Sequence, residues 1–273
     1  MKEILFYIVI LLANIIQGIT GFAGTILAMP FSLKLVGMDI AVPVLNLLGF
    51  ASGIYVLAGN YRYVDRKELI RAAAVMEPAV VAGLVIRRYL SGKPQLLYYI
   101  LGAIVLALSV SGLAGLLKKE KQALGADTAD SVSGPHSADA EAWAAPQKAL
   151  ENSARWHAAA DIAVLAASGL VHGLFVCGGP LLIGYLSRRI KDKASFRATI
   201  STIWIFLNGT IFVSQLISGA WNAELVRVQL ISLPFLAAGM FLGSILYKHM
   251  SQRTFMIITY VLLFIAGLTL FFK

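Results

Sequence analysis

Apolar runs long enough to cross a bilayer alternate with short polar segments along most of this 273-residue chain. A membrane helix needs about 20 predominantly apolar residues. Residues 40–58, 70–86, 96–117, 200–217, 226–247 and 255–272 approach that length. Two further apolar regions, 4–33 and 158–186, differ because glycines interrupt them. The first contains GITGFAGTILAMPFSL (18–33) and the second GLVHGLFVCGGPLLIGYL (169–186). In lipid, backbone N–H and C=O groups must be paired, so loosened helix is tolerated only inside protein or beside a water-filled cavity. Each region is therefore expected to be a bent pair of shorter helices. A matched pair of such breaks, one in each half of a chain, points to the binding site of a duplicated transporter. The pattern predicts an all-α polytopic membrane protein with about 8 hydrophobic helical regions.

Composition agrees. Hydrophobic residues make up 59% of the chain and charged residues 14%, whereas a soluble domain carries about 25% charged residues. The net charge of +9 would suggest a nucleic-acid partner in a soluble protein. Here the basic residues lie between spans, so orientation in the bilayer explains them better and no nucleic acid is expected. Lys2 and the apolar run after it resemble a secretory signal. No cleavage-type site separates that run from the next membrane segment, so a retained first helix is expected. Cys177 is the single cysteine, which excludes an intramolecular disulfide.

One segment departs from the pattern. Residues 118–156 turn polar and rich in Ala, Ser, Gly and Asp, a composition expected to form a mostly disordered linker. It divides the chain into an N-terminal membrane half, 1–117, and a C-terminal half, 157–273. The halves align at a constant offset of 156: Gly53 with Gly209, Pro78 with Pro234, and Ala82-Gly83 with Ala238-Gly239.

Charge suggests how the halves are related. Arg188, Arg189, Lys191, Lys193 and Arg197 surround only Asp192, so that loop is expected to be cytoplasmic. Its first-half equivalent, around Lys34 and Asp39, is nearly neutral. The next loop reverses the contrast, with Arg62, Arg66, Lys67 and Arg71 against Arg227. Opposite bias in equivalent loops is what inversion predicts. Two inverted repeats, a cytoplasmic linker and outside termini follow, in a bacterial-type inner membrane. Arg87, Arg88 and Lys93 fall on the other side of this scheme.

These features resemble the TauE/SafE sulfite exporter family of membrane permeases. The likeness rests on GITGFAGTILAMP near the start, GLFVCGGPLL opening the second half, and SFRATIS after the basic loop, and it covers nearly everything except the linker. The resemblance implies movement of sulfur-containing anions such as sulfite and organosulfonates.

An independent physical argument also favours an anion. Helix starts expose unpaired N–H groups and carry positive partial charge, so a break inside the membrane can hold an anion without a fixed cation. Gly21, Gly24, Gly178 and Gly179 would admit a ligand to the backbone, and Thr20 and Thr25 would add hydroxyl donors. Pro180 suits the first turn of a restarted helix. The alternative is that these glycines only let helices pack closely. Arg197 is placed either to fork onto an oxyanion or to sit at the headgroups. Glu77 is the carboxylate inside a span and a candidate for proton coupling, unless it lies near an interface. His172, within the second break, can titrate, donate to an anion or pack against a carbonyl. Asn46, Thr202 and Asn208 are candidates for pathway lining or for interhelical hydrogen bonds. Cys177 reads as a small buried residue.

Catalysis lacks support. HExxH, GxSxG and GxxxxGK[ST] are absent from the sequence, so the chain is not expected to be an enzyme and no cofactor or metal is expected. The expected function is secondary transport of a small anion across the lipid bilayer. A passive facilitator, an intramembrane enzyme and a membrane assembly protein are the alternatives.

Overall fold

A computed structural model describes residues 2–20, 24–90, 92–129, 147–190 and 192–246, with 261, 264, 265 and 268 beyond them. The described residues are helical throughout apart from short connections, and no strand occurs among them. In the first half these are α1 (Lys2–Thr20), α2 (Gly24–Val36), α3 (Met38–Asn60), a single 3-10 turn over Tyr61–Tyr63, α4 (Arg66–Tyr89) and α5 (Pro94–Ala129). The second half contributes α6 (Gln147–Phe175), α7 (Gly179–Arg189), α8 (Lys193–Ile217) and α9 (Ala223–Leu246). Six of these helices are long and apolar enough to cross a membrane. The span expected over 255–272 lies almost wholly outside the described residues.

Both glycine-broken regions form a long helix followed by a short one, α1 then α2 and α6 then α7. The connection at 21–23 is not described. The second break is held by Val176, whose N–H donates to the His172 carbonyl at 2.7 Å. Val176 adopts a φ of 57°, and a β-branched residue in that left-handed region costs about 1–2 kcal/mol. The chain then turns through buried Cys177 to Gly178, which precedes α7 without a side-chain cap, and Pro180 occupies the first turn.

Three helix starts outside the breaks are capped by side chains, whereas α3 follows Gly37 without one. Asp65 accepts from the N–H groups of Lys67 and Glu68 at the start of α4. Asn222 accepts from the Leu225 N–H at 2.8 Å at the start of α9. Asp192 accepts from the Ser195 N–H at 2.7 Å at the start of α8, and that bond holds its carboxyl below the usual carboxylate range.

Three helix pairs build the body: α1 with α9, α4 with α6, and α3 with α8. Exchanging the two halves at the sequence offset converts the first pair into the second and returns the third to itself. The first two pairs run parallel, and glycines set their closest approach. Gly18 lies against Gly243, and Gly83 against Gly173. The α3–α8 pair runs antiparallel, because Asn46 meets Asn208 while Gly53 meets Ser201. Lipid supplies no hydrophobic drive between helices, so such small-residue contacts and the van der Waals packing they permit carry the association. Large apolar side chains face outward along these helices, among them Ile4, Leu12, Ile70, Leu230 and Phe241. That surface suits hydrocarbon rather than water.

Helix extends into the polar segment from both ends, since α5 runs to Ala129 and α6 begins at Gln147. Ala, Lys, Glu and Gln, which are frequent at those ends, are strong helix formers. Residues 130–146 lie outside the described residues.

The two basic loops meet at one end of the bundle. The Asp65 N–H donates to the Thr199 hydroxyl at 2.8 Å. Buried Glu68 accepts from the Tyr185 hydroxyl at 2.7 Å and pairs with Arg71 at 3.4 Å and Arg189 at 3.5 Å. Arg189 also binds Asp161 near the start of the apolar part of α6, and Arg188 lies 3.7 Å from the same carboxylate. This cluster ties α4, α6 and α7 together. Tyr185→Phe removes a hydrogen bond to a buried charge and should cost about 2 kcal/mol. A lowered melting temperature in detergent checks it, and an unchanged one would show that the arginines alone satisfy Glu68.

Candidate functional site: a buried cavity at the two helix breaks

The break in each half returns the chain to the helix it has just left. A side chain at Gly24 would lie 2.7 Å from the Ala13 carbonyl oxygen and against Gln17. One at Gly178 would lie 2.3 Å from the Ser168 carbonyl oxygen and against His172. Only glycine fits where backbones approach this closely. Gln17 and His172 therefore hold corresponding places, each within the last turn or so of its long helix.

Their partners correspond as well. Gln17 Nε2 donates to Ser52 Oγ on α3 at 3.2 Å. His172 Nε2 lies 3.0 Å from Asn208 Oδ1 on α8. Ser52 and Asn208 are related by the same offset of 156 that aligns Gly53 with Gly209. The two polar pairs sit on either side of the antiparallel α3–α8 contact.

Between them lies a buried cavity of about 20 Å³, enough for about one water molecule. Gln17 lines it from α1, Thr25 and Ile26 from α2, Gly49 from α3, His172 from α6, Gly179 from α7, and Trp204 and Asn208 from α8, with Val176 at the break. A second space of about 10 Å³ continues behind Gln17 past Gly24, Thr25 and Ser52. The His172 and Trp204 rings stack with centroids 4.9 Å apart. Both side chains are at least nine-tenths buried, and His172 Nδ1 and Trp204 Nε1 have no hydrogen-bond partner among the described residues.

The two short helices present their starts differently. At α2, the Gly24 N–H donates to Gln17 Oε1 at 2.7 Å, so a side chain from α1 occupies that end. At α7 no side chain caps the start, and Gly179 opens directly onto the cavity. A side chain at Gly179 would meet the mobile end of Ile26 at 2.5 Å rather than backbone.

The residues singled out in the sequence divide by position. Thr25, His172, Gly179 and Asn208 line the cavity, and Gly24 and Gly178 lie just behind it. Thr20 ends α1, but its side chain and the whole of Gly21 fall outside the described residues. Asn46 does not reach the cavity lining; its Nδ2 donates to the Asn208 carbonyl oxygen at 3.0 Å and joins α3 to α8. Thr202 donates to Ala198 within its own helix at 2.8 Å. Glu77, half-buried on α4, and Arg197, half-buried near the start of α8, are also absent from the lining. Arg197 sits two turns of α8 before Trp204. The sequence reading missed Gln17, Ser52 and Trp204. The repeat offset linking Ser52 to Asn208 was the available signal for Ser52 alone, since at that offset Gln17 falls opposite Gly173.

Set beside known proteins, residues 6–270 match the family described as Sulfite exporter TauE/SafE. The chain belongs to the TauE/SafE family. Membership extends over nearly the whole chain, so both glycine breaks and all the helices of the cavity fall within it. A TauE/SafE protein is a multi-pass membrane permease of a family described by sulfite export, in accord with the apolar helices seen here. Searches of curated proteins and of solved structures return no match.

Proposed function

We propose that this protein is a secondary permease for a small oxyanion, sulfite or an organosulfonate, which binds where the two broken helices meet. One observation carries the reading. Thr25 in the first turn of α2 and Gly179 at the first residue of α7 line the same buried cavity. Helix starts bring positive partial charge without a desolvated lysine or arginine, and Thr25, Trp204 and Asn208 add side-chain donors around them.

Alternating access is favoured over an open pore. The cavity holds about one water and an oxyanion is larger, so uptake requires the surrounding helices to separate. We take the halves 1–117 and 157–273 as inverted repeats that rock against each other. The antiparallel α3–α8 pair, the interchange of α1–α9 with α4–α6, and the opposite charge of equivalent loops support that arrangement. Asp161 joins the arginine cluster at the basic end, which supports a cytoplasmic linker entering α6 there. Coupling to protons or to membrane potential is part of the proposal, with His172 better placed for it than Glu77.

The test is flux of labelled sulfite into liposomes holding purified protein, with sulfate and an organosulfonate for comparison. Saturable flux of a sulfur anion is expected, and an imposed proton gradient or potential should change its rate. Gly179→Ala adds a methyl group at the cavity against a movable Ile26, so the protein should fold while flux falls about tenfold or more. Well-folded wild-type protein that moves no anion would end the permease reading. A Gly179→Ala variant with full flux would remove the cavity from the pathway.

A further inference from the structure

We infer that the cavity selects a singly charged, proton-bearing oxyanion, hydrogensulfite rather than sulfite dianion; this deepens the permease reading and rests on it. Three observations lead there.

The first is the charge available. No Asp, Glu, Lys or Arg lines the cavity from α1, α2, α3, α6, α7 or α8, and His172 is the titratable group on its wall. Positive potential comes from the starts of α2 and α7, each equivalent to about half a unit charge. Two such ends balance about one negative charge. The desolvation cost of an ion grows with the square of its charge, so a dianion loses about four times as much on entering the same space.

The second is the pair of buried atoms without partners. Asn208 Oδ1 can only accept, so His172 Nε2, 3.0 Å away, carries the hydrogen. In the neutral ring Nδ1 is then a bare acceptor, and it has no partner among the described residues. Trp204 Nε1, on the ring stacked against it, is a donor that also lacks one. Leaving such groups unmatched costs about 1–3 kcal/mol each. A ligand satisfying both must offer a hydrogen to one and an oxygen to the other. Hydrogensulfite has both; sulfite dianion has no hydrogen to give.

The third is the fate of the acceptors already present. Gln17 Oε1 is occupied by the Gly24 N–H, and the Gly178 carbonyl by the Ser168 hydroxyl at 2.6 Å. Among the groups lining the cavity, His172 Nδ1 is the buried acceptor with no partner among the described residues, which assigns the ligand's O–H to it. The ligand itself therefore brings the proton into the membrane, and Glu77 need not supply one.

The experiment is equilibrium binding of labelled sulfite to the purified full chain at about pH 6 and about pH 8, on either side of sulfite's second ionisation. Methanesulfonate, a monoanion at both, and sulfate, a dianion at both, serve as competing ligands. Binding of one proton with the ligand predicts that apparent sulfite affinity drops about tenfold at the higher pH. Methanesulfonate, singly charged but with no hydrogen to offer His172 Nδ1, should compete more weakly than hydrogensulfite and to the same extent at both pH values, and sulfate at neither. Sulfite binding that is unchanged or tighter at the higher pH, with sulfate competing, would overturn the inference and leave the permease intact. Methanesulfonate affinity falling in parallel with sulfite would assign the proton to His172 instead of the ligand. Failure of every anion to bind at both pH values would remove the permease reading itself.

Discussion

Gly173→Ala is expected to destabilise the folded protein by about 3 kcal/mol or more. The added carbon would lie 2.2 Å from the Val80 carbonyl oxygen and 3.0 Å from the Gly83 Cα. Both are backbone atoms of α4, so no side-chain rotation relieves the clash and the helix itself must retreat. Retreat sacrifices van der Waals contact along the whole α4–α6 seam, which in a bilayer has no hydrophobic effect to replace it. The counterpart at the other seam is Gly243→Ala, whose carbon would lie 2.2 Å from the Ile15 carbonyl oxygen and 2.9 Å from the Gly18 Cα. Gly184→Ala, on α7, is the control: no atom lies within 4 Å of the added carbon. There the gain in helix propensity should stabilise by about 0.5–1 kcal/mol. Melting temperatures of the three variants in one detergent check the set. Wild-type melting of Gly173→Ala would show that the α4–α6 seam is looser than these distances require.

That contrast between glycines marks the limit of what the sequence made legible. Apolar run length located the long helices, because crossing a bilayer constrains length strongly. The glycine clusters located the two breaks, because lipid forbids loosened backbone except in special surroundings. Sequence cannot say which glycine meets backbone and which meets a flexible side chain. Gly173 and Gly179 look alike in GLVHGLFVCGGP, yet one sits in a helix seam and the other opens onto the cavity. Val176 was less legible still. A left-handed residue at a helix end is ordinarily glycine, and here a strained valine holds it two positions before Gly178.

Polar residues were harder to assign for a related reason. Hydropathy ranks a residue by what it is, whereas a pathway is built from what faces what. Asn46 and Asn208 look equivalent in their spans, but Asn46 joins two helices and Asn208 faces the cavity beside His172. Glu68 stands in a string of basic residues that reads as topogenic charge. Tertiary contact with Tyr185, which is 117 positions away, turns it into a buried link between helices. Gln17 lies in the apolar run before the first break, and only its counterpart His172, itself conspicuous, hints at its place.

Gln17 is also where the electrostatic reading can be tested most severely. Gln17→Glu is nearly isosteric and keeps an oxygen for the Gly24 N–H, which Gln17 Oε1 now accepts at 2.7 Å. A carboxylate at a helix start is stabilising, so α2 should remain capped and the protein should fold. The same carboxylate stands on the cavity wall and spends the positive potential that an incoming anion would use. At about 4 Å and an effective dielectric of about 20, the repulsion is about 4 kcal/mol, close to a thousandfold loss of affinity. Methanesulfonate is the right probe, because its own charge does not change with pH. Its binding should be nearly abolished at neutral pH and recover as acidification neutralises the carboxylate. Gln17→Leu separates charge from capping: it strips the hydrogen bond from the Gly24 N–H and should cost about 1–2 kcal/mol of stability while sparing much of the anion affinity. Folded Gln17→Glu protein that binds methanesulfonate like wild type would mean that the anion never approaches the start of α2. The field of a single helix end, that of α7, would then have to carry the site.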